Sequence, residues 1–395
     1  MSHSFKLSGV DIGLGGKGPD LPRVRGFLRR FGYFPESSSG EELDAPTELA
    51  LRRYQEWNAL PVTGRLDAAT AAFMEQPRCG VPDPGNALGL LAGTRCDYFA
   101  KRRVITYSIV NATPDLPGDV EREALRRAFA TWQSWIPIDF VEIGSDSRAD
   151  LTIGWFRGNH GDGASFDNVG NVLAHAFYPP PCGGVHAGKC HFDEDELWGL
   201  SHSGLGRDLE TVALHEIGHL LGLEHSNVPG SVMFPTYSGE RRVLAADDLA
   251  RIQAVYGKPG PSLRLTAHLQ GHGDIKRREN EFAGTRSQSR RLEGFQIGLA
   301  TPVDGVSCEY MAHLQGTGDT AWLPEGQFVG TRGQSRRLEG FAVRLTGPRA
   351  ANFSVHYMAH LEGTGDTRLF SNGQFCGTRG QSRRAEGILV RIEPN

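Results

Sequence analysis

Apolar residues recur at helical spacing through LPRVRGFLRRFGYF (21–34) and APTELALRRYQEWNAL (45–60), and LDAATAAFMEQ (66–76) follows. This predicts helices between residues 21 and 76, with Asp67 placed to cap the last and Pro61 and Gly64 turning the chain before it. PGNALGLLAGT, from residue 84, reads as a connector. The pattern then becomes mixed. RVITYSIV (103–110) alternates as a strand does, EREALRRAFATWQSWI (121–136) is an amphipathic helix, and IDFVEI and ADLTIGWF are further strands. A long stretch rich in Gly, His and Asp separates these from two more helices, LETVALHEIGHLLGL (209–223) and AADDLARIQAVYG (245–257).

KPGPS (258–262) is a linker, and beyond it one pattern occurs three times. AHL recurs at 267, 312 and 359, GTR at 284, 330 and 377, and QSRR at 288, 334 and 381. Each copy holds about three short β runs, too few to fold alone. The three are expected to share one all-β core with pseudo-threefold symmetry, as a β-prism or a β-trefoil. The chain therefore reads as three domains, 1–96, 97–258 and 259–395, of helical, α/β and all-β class.

Composition alters this picture little. Among 395 residues there are 51 glycines, which point to many turns, and no apolar run approaches a membrane span. The N-terminus, MSHSFKLSGVDIGLGGKGPD, lacks the apolar core of a secretory signal. Residues 261–395 carry 17 Lys+Arg against 13 Asp+Glu, whereas residues 1–260 carry 25 against 33. A basic tail can seek anionic polymers, although a solvated face explains it too. The repeated Arg pairs lack interleaved aromatic residues, which argues against nucleic acid. Of six cysteines, Cys182 and Cys190 bracket a Gly-rich loop and are expected to pair, Cys308 and Cys376 can pair, and Cys96 is left over.

The densest chemistry lies in HEIGHLLGLEHS, His215 to Ser226. On a helix His215 and His219 leave the same face one turn apart and can share a metal ion. Gly222 lets the chain break so that His225 can supply a third ligand. Three neutral imidazoles leave a fourth position for water, the mark of a catalytic rather than a structural zinc. Glu216, beside the first ligand, is placed to accept the proton of that water.

With SVMFPTY following from Ser231, the segment resembles the matrixins, the matrix metalloproteinase branch of the metzincin zinc endopeptidases. The resemblance covers roughly residues 20–257 and implies a metzincin catalytic domain. It makes Met233 the Met-turn residue beneath the metal, and Pro235 and Tyr237 walls of the pocket after the scissile bond. Thr211 is small and should leave that pocket deep, for a large apolar side chain. Leu173 and Ala174 would pair with an extended peptide substrate. His160, Asp162, His175 and His191 match the structural zinc ligands. Asp167, Asp193 and Glu196 match a calcium site completed by carbonyls of Asn168, Gly170 and Val172. Lys189 departs from the aspartate common at a further calcium site.

PRCGVPD (77–83) matches the family's cysteine switch at every position. There Cys79 would take the fourth zinc position and exclude water, with Arg78 and Asp83 pairing to hold the loop. The helices before it resemble a propeptide similar to peptidoglycan-binding domains. The resemblance thus implies a secreted zymogen, Zn2+ and Ca2+ as cofactors, a protein or peptide substrate, and cleavage near 84–98. The repeats resemble clostridial hydrophobic repeats, except that Asp274, Asp319 and Asp366 stand where the name-giving tryptophan would be. They suggest a glycan- or cell-surface-binding module. Two other functions compete: a cell-wall hydrolase gripping peptidoglycan with its helices, and an adhesion protein with a vestigial zinc domain.

Overall fold

A computed structural model describes residues 5–34, 40–83, 96–144, 148–200 and 206–395. The expected connector and nearly all of the expected cleavage span lie outside the described residues. The chain divides into two compact units, Met1–Lys258 and Pro259–Asn395.

In the first unit, helices α1 (Leu21–Arg30), α2 (Ala45–Trp57) and α3 (Ala68–Met74) form where the periodicity placed them. The Asp44 and Asp67 carboxylates accept from the backbone N–H of Thr47 and Thr70, satisfying helix-start donors. Their apolar faces enclose Val24, Phe27, Leu28, Tyr54 and Met74, together with Phe166 and Val172 from the mixed region. Burial of each such side chain is worth about 1.5–3 kcal/mol, so the helices are welded to the segment running from Phe166 to Val172.

The mixed region is built on a sheet of strands β1 (Arg78–Cys79), β2 (Val104–Ile109), β3 (Asp139–Glu142), β4 (Leu151–Phe156), β5 (Val172–Ala176) and β6 (Lys189–Asp193), in the order β1-β5-β6-β4-β2-β3. β4 pairs parallel with β2 and β6, and β5 runs antiparallel to β6. β1 joins the outer edge of β5 in parallel. Helices α4 (Val120–Gln133) and α5 (Leu209–Leu220) pack together, and Trp132 Nε1 donates to the Leu214 carbonyl at 2.9 Å. Every residue of α5 is buried, so its polar side chains must be satisfied internally. Helix α6 (Ala246–Tyr256) closes the unit, with the Tyr256 hydroxyl donating to the Leu221 carbonyl at 2.9 Å.

In the second unit each repeat contributes two long antiparallel strands: 262–269 with 292–301, 307–314 with 338–346, and 353–361 with 385–394. Each pair also gains a short strand from another repeat. Val329–Gly330 joins the first sheet, Cys376–Gly377 the second and Ala283–Gly284 the third. The exchange closes a ring around a shared core that includes Phe295, Tyr310, Phe341 and Tyr357. A belt of ion pairs follows the same ring. Asp274 meets Arg332, Asp319 meets Arg379 and Asp366 meets Arg286, at 3.1, 2.9 and 3.0 Å. The aspartates in the tryptophan positions thus bind one repeat to another.

The cysteine pairing differs from expectation. Cys182 bonds to Cys96, 86 residues away, while Cys190, Cys308 and Cys376 are free and buried. Cys190 lies within β6 among core residues, and its expected partner is already bonded to Cys96. Cys308 and Cys376 sit on strands flanking 338–346 from opposite sides. Two strand spacings, roughly 9.6 Å, exceed disulfide reach.

Candidate active site

Helix α5 carries His215, Glu216 and His219, and its Asp208 cap accepts from Thr211 N–H at 3.1 Å. The helix stops at Leu221, and Gly222 turns the chain with φ +93. A Cβ there would lie 2.3 Å from the Cys96 carbonyl oxygen, so glycine is required on both counts. The turn brings His225 back beside the other two imidazoles, with ring centroids 4.7 and 5.2 Å away.

The three rings are fixed from behind. His215 Nδ1 donates to the Val232 carbonyl, His219 Nδ1 to the Leu223 carbonyl and His225 Nδ1 to the Asp83 carboxylate, each at 2.7 Å. That leaves each Nε2 with its lone pair free to point inward. Cys79 Sγ stands 3.5 Å from His219 Nε2, and one ligand atom from each of the four residues lies within 4.8 Å of the others. The Nε2 atoms of His215 and His225, and both carboxylate oxygens of Glu216, are buried without a hydrogen-bond partner. Burial pushes the Glu216 carboxyl up to about 8. Orphaned buried groups on this scale are costly, and three imidazole nitrogens with one sulfur are a zinc donor set. The residues fit the metal.

Met233 is fully buried under α5. A Cβ on Gly218 would meet its Sδ at 2.2 Å, so this glycine permits the close approach. Its N–H donates to Ser231 Oγ at 3.0 Å and to Asp248 at 3.1 Å.

The segment Pro77–Gly80 lies in the groove between β5 and the chain after Met233. Arg78 N–H donates to Asn171 O and Gly80 N–H to Ala174 O, at 2.7 and 2.8 Å. On the other side, Cys79 N–H donates to Pro235 O and Tyr237 N–H to Pro77 O, at 2.9 and 2.8 Å. A cavity of about 30 Å³ beside it is lined by Leu173, Thr211, Pro235 and Tyr237, all anticipated, and by Arg241, which was not. Arg241 N–H donates to Thr211 Oγ1 at 2.9 Å, and its guanidinium to Ser231 O at 2.8 Å.

Asp83 is the hub of the closed arrangement. It accepts from Arg78 at 2.8 Å, from the Tyr33 hydroxyl at 2.6 Å and from His225. Burial opposes its charge, but the Arg78 guanidinium and the His225 and Tyr33 hydrogen bonds hold the carboxyl below its usual range. The sequence pointed to the Arg78–Asp83 pair. It gave no sign of Tyr33, nor of Phe31, whose ring lies 3.6 Å from the Arg78 guanidinium carbon.

His160, Asp162, His175 and His191 also converge within 4.8 Å. Asp162 Oδ2 lies 2.7, 2.6 and 2.7 Å from ring nitrogens of His160, His175 and His191. Asp167, Asp193 and Glu196 lie on adjoining segments. Burial, aided by neighbouring carboxylates, pushes Asp193 up to about 7, and its Oδ2 has no partner. Glu196 accepts from Gly170 N–H, and Asp167 from Val172 N–H at 3.2 Å. Asn168 has the left-handed backbone, φ +65, that turns this loop.

Known protein families match the chain in three regions. The matrixin family model matches residues 98–257, a putative peptidoglycan binding domain matches 17–74, and clostridial hydrophobic W repeats match 268–300, 313–347 and 360–394. Metalloendoproteinase 1-MMP of Arabidopsis thaliana is 37% identical over 323 residues, covering 77% of this chain and 85% of its own. Matrilysin of Rattus norvegicus is 40% identical over 239 residues, 60% of this chain and 85% of its own. Karilysin of Tannerella forsythia is 46% identical over 165 residues, 41% and 34% respectively. With protein-cleaving relatives along most of its length and a zinc donor set gathered at the helix where the family motif begins, the chain belongs to the matrixin family of zinc metalloendopeptidases.

Proposed function

We propose that this enzyme is made as a latent, secreted zymogen in which residues 1–96 are the propeptide, 97–258 the catalytic domain and 259–395 a binding module of prism-like three-sheet form. The observation that carries the reading is the approach of Cys79 Sγ to the three converging imidazoles, with Glu216 unpartnered beside them. His215, His219 and His225 would hold the catalytic zinc. Bound there, zinc supplies Lewis acidity that polarises the scissile carbonyl and lowers the pKa of water from about 15.7 to about 7.

The remaining work falls to the chain's own groups. Glu216 takes the proton from the attacking water and delivers it to the leaving amine. An extended substrate adds antiparallel to β5 at Leu173 and Ala174. In the closed state that edge is filled by Arg78 and Cys79 running parallel, the reverse direction, so the latch blocks the groove without presenting a scissile bond. Thr211, Pro235 and Tyr237 receive the side chain after the scissile bond, and Met233 supports the ligands from below. His160, Asp162, His175 and His191 would hold a structural zinc. Asp167, Asp193 and Glu196, with carbonyls of Asn168, Gly170 and Val172, would hold calcium, whose preference for hard oxygen suits them.

The test is a peptide-library cleavage assay on the processed protein and its Glu216→Ala variant, with casein and purified cell wall in parallel. Expected is cleavage of peptides and casein, with at least about a hundredfold loss in the variant and unchanged zinc content. Full activity in the variant, or cleavage of cell wall alone, overturns the reading.

A further inference from the structure

The three repeats are alike in their inner faces and in the Asp–Arg belt, but their outer faces differ in charge. In the second repeat, Arg344 pairs with Glu309 at 2.7 Å and stacks over Trp322 at 4.2 Å. In the third, Arg391 and His356 both approach Glu393, at 3.4 and 3.7 Å. Those two faces are internally neutralised.

The first repeat has no counterpart to these pairs. Where the second carries Glu309 and Arg344, it carries Arg264 and Gly298, directly opposite each other across the sheet. The neighbouring strand adds Arg278 opposite Arg264 and Lys276 opposite Thr266. Together with Arg277 these cations surround a groove of about 640 Å³ whose lining contains one carboxylate, Glu281. Arg264 and Arg277 spend their hydrogen bonds on backbone carbonyls of Leu299, Phe282 and Lys276. Glu279 is turned back to the Leu263 N–H. Arg264, Lys276 and Arg278 therefore share one exposed face, while Arg277, opposite buried Leu265, borders the groove from the strand's other side.

We propose that this outer face of the first repeat binds a linear acidic polysaccharide, with Arg264, Lys276 and Arg278 meeting its anionic groups and Thr266 and Gln296 its hydroxyls. The proposal rests on the reading of the repeats as a binding module and is independent of the peptidase chemistry. Charge complementarity selects a polyanion. The lining holds no aromatic ring on which the bases of single-stranded nucleic acid would stack. Gly298 leaves the middle of the face without a side chain, so a chain of sugar rings can lie flat against the strands.

Full-length protein is titrated with heparin, polygalacturonate, neutral dextran and a single-stranded oligonucleotide. Binding is expected for the two acidic polysaccharides and not for dextran, weakening at least about tenfold between about 50 and about 200 mM salt. The exposed double variant Lys276→Glu/Arg278→Glu should lose at least about tenfold in affinity, against less than about twofold for Arg336→Glu/Arg383→Glu, which makes the same charge change elsewhere. Equal losses in the two variants, or none in the first, overturn this face while leaving the repeats a binding module. No binding to either acidic polysaccharide, or tighter binding of the oligonucleotide, overturns the ligand class.

Discussion

Replacing Asp83 with alanine should open the latch without removing a metal ligand. Asp83 and Arg78 are 0% and 1% exposed, so the variant strands a guanidinium in the interior and removes the acceptor for Tyr33 and His225. Breaking a buried pair by deleting one partner costs about 3–5 kcal/mol. Arg78 keeps its contact with the Phe31 ring and a 3.3 Å hydrogen bond to the Cys79 carbonyl, which favours the lower end. All of that cost falls on the closed state, because an open propeptide exposes Arg78 to water. At about 1.4 kcal/mol per factor of ten, the open fraction should rise at least about a hundredfold. The assay is the rate of maleimide labelling of Cys79, read by site-resolved mass spectrometry on full-length protein in a Glu216→Ala background that prevents self-cleavage. The other free cysteines, all buried, serve as internal controls for global unfolding. A labelling rate indistinguishable from that of the parent would refute the reasoning.

Other consequences follow from the same structure. Asp162→Ala removes the group on which three imidazoles converge; zinc content should fall from two ions per chain to one, and the first unit should melt lower by about 2–4 °C for each kcal/mol lost. Acid should loosen the second unit. Asp274, Asp319 and Asp366 are held below the usual carboxylate range, first by Arg332, Arg379 and Arg286 and then by His268, His313 and His360, with desolvation opposing. Their stabilisation is present above the unfolded value near 3.9 and is lost as pH falls through the lower folded values. The melting midpoint of that unit should drop below about pH 4, and the corresponding Asn variants should lack that part of the drop.

Much of this was legible in the sequence because the chemistry is local. HEIGHLLGLEHS holds helix, break and three clustered imidazoles within twelve residues, and PRCGVPD holds Cys79 and the Arg78–Asp83 pair within seven. Periodicity located α1 through α6 because each buries one face, or in α5 every face. What escaped depends on chain segments meeting across long separations. Cys182 bonds Cys96 rather than Cys190 because tertiary approach, not spacing, brings sulfurs together. Phe166 and Val172 belong to the core of the N-terminal helices although they lie nearly a hundred residues beyond it. Tyr33 looks like one more aromatic of a helical core until the fold sets its hydroxyl against Asp83. Arg241 carried no signal, since a basic residue after a turn is ordinarily solvated. The repeat was plain from recurrence, yet the exchange of short strands that closes its ring was not, because residue pairs such as Val329–Gly330 are too brief to show alternation.

In the proposed latent form one zinc ion is held by His215, His219 and His225, with the Cys79 sulfur at its fourth position. Zinc-edge X-ray absorption on the intact chain measures this directly, because Cys79 is the sole sulfur donor in the two candidate clusters among the described residues. Expected are a sulfur shell at about 2.3 Å beside nitrogen at about 2.0–2.1 Å in the wild type, and its disappearance in Cys79→Ser, which should be active without processing. A wild-type spectrum without sulfur, or one that Cys79→Ser leaves unchanged, would contradict it.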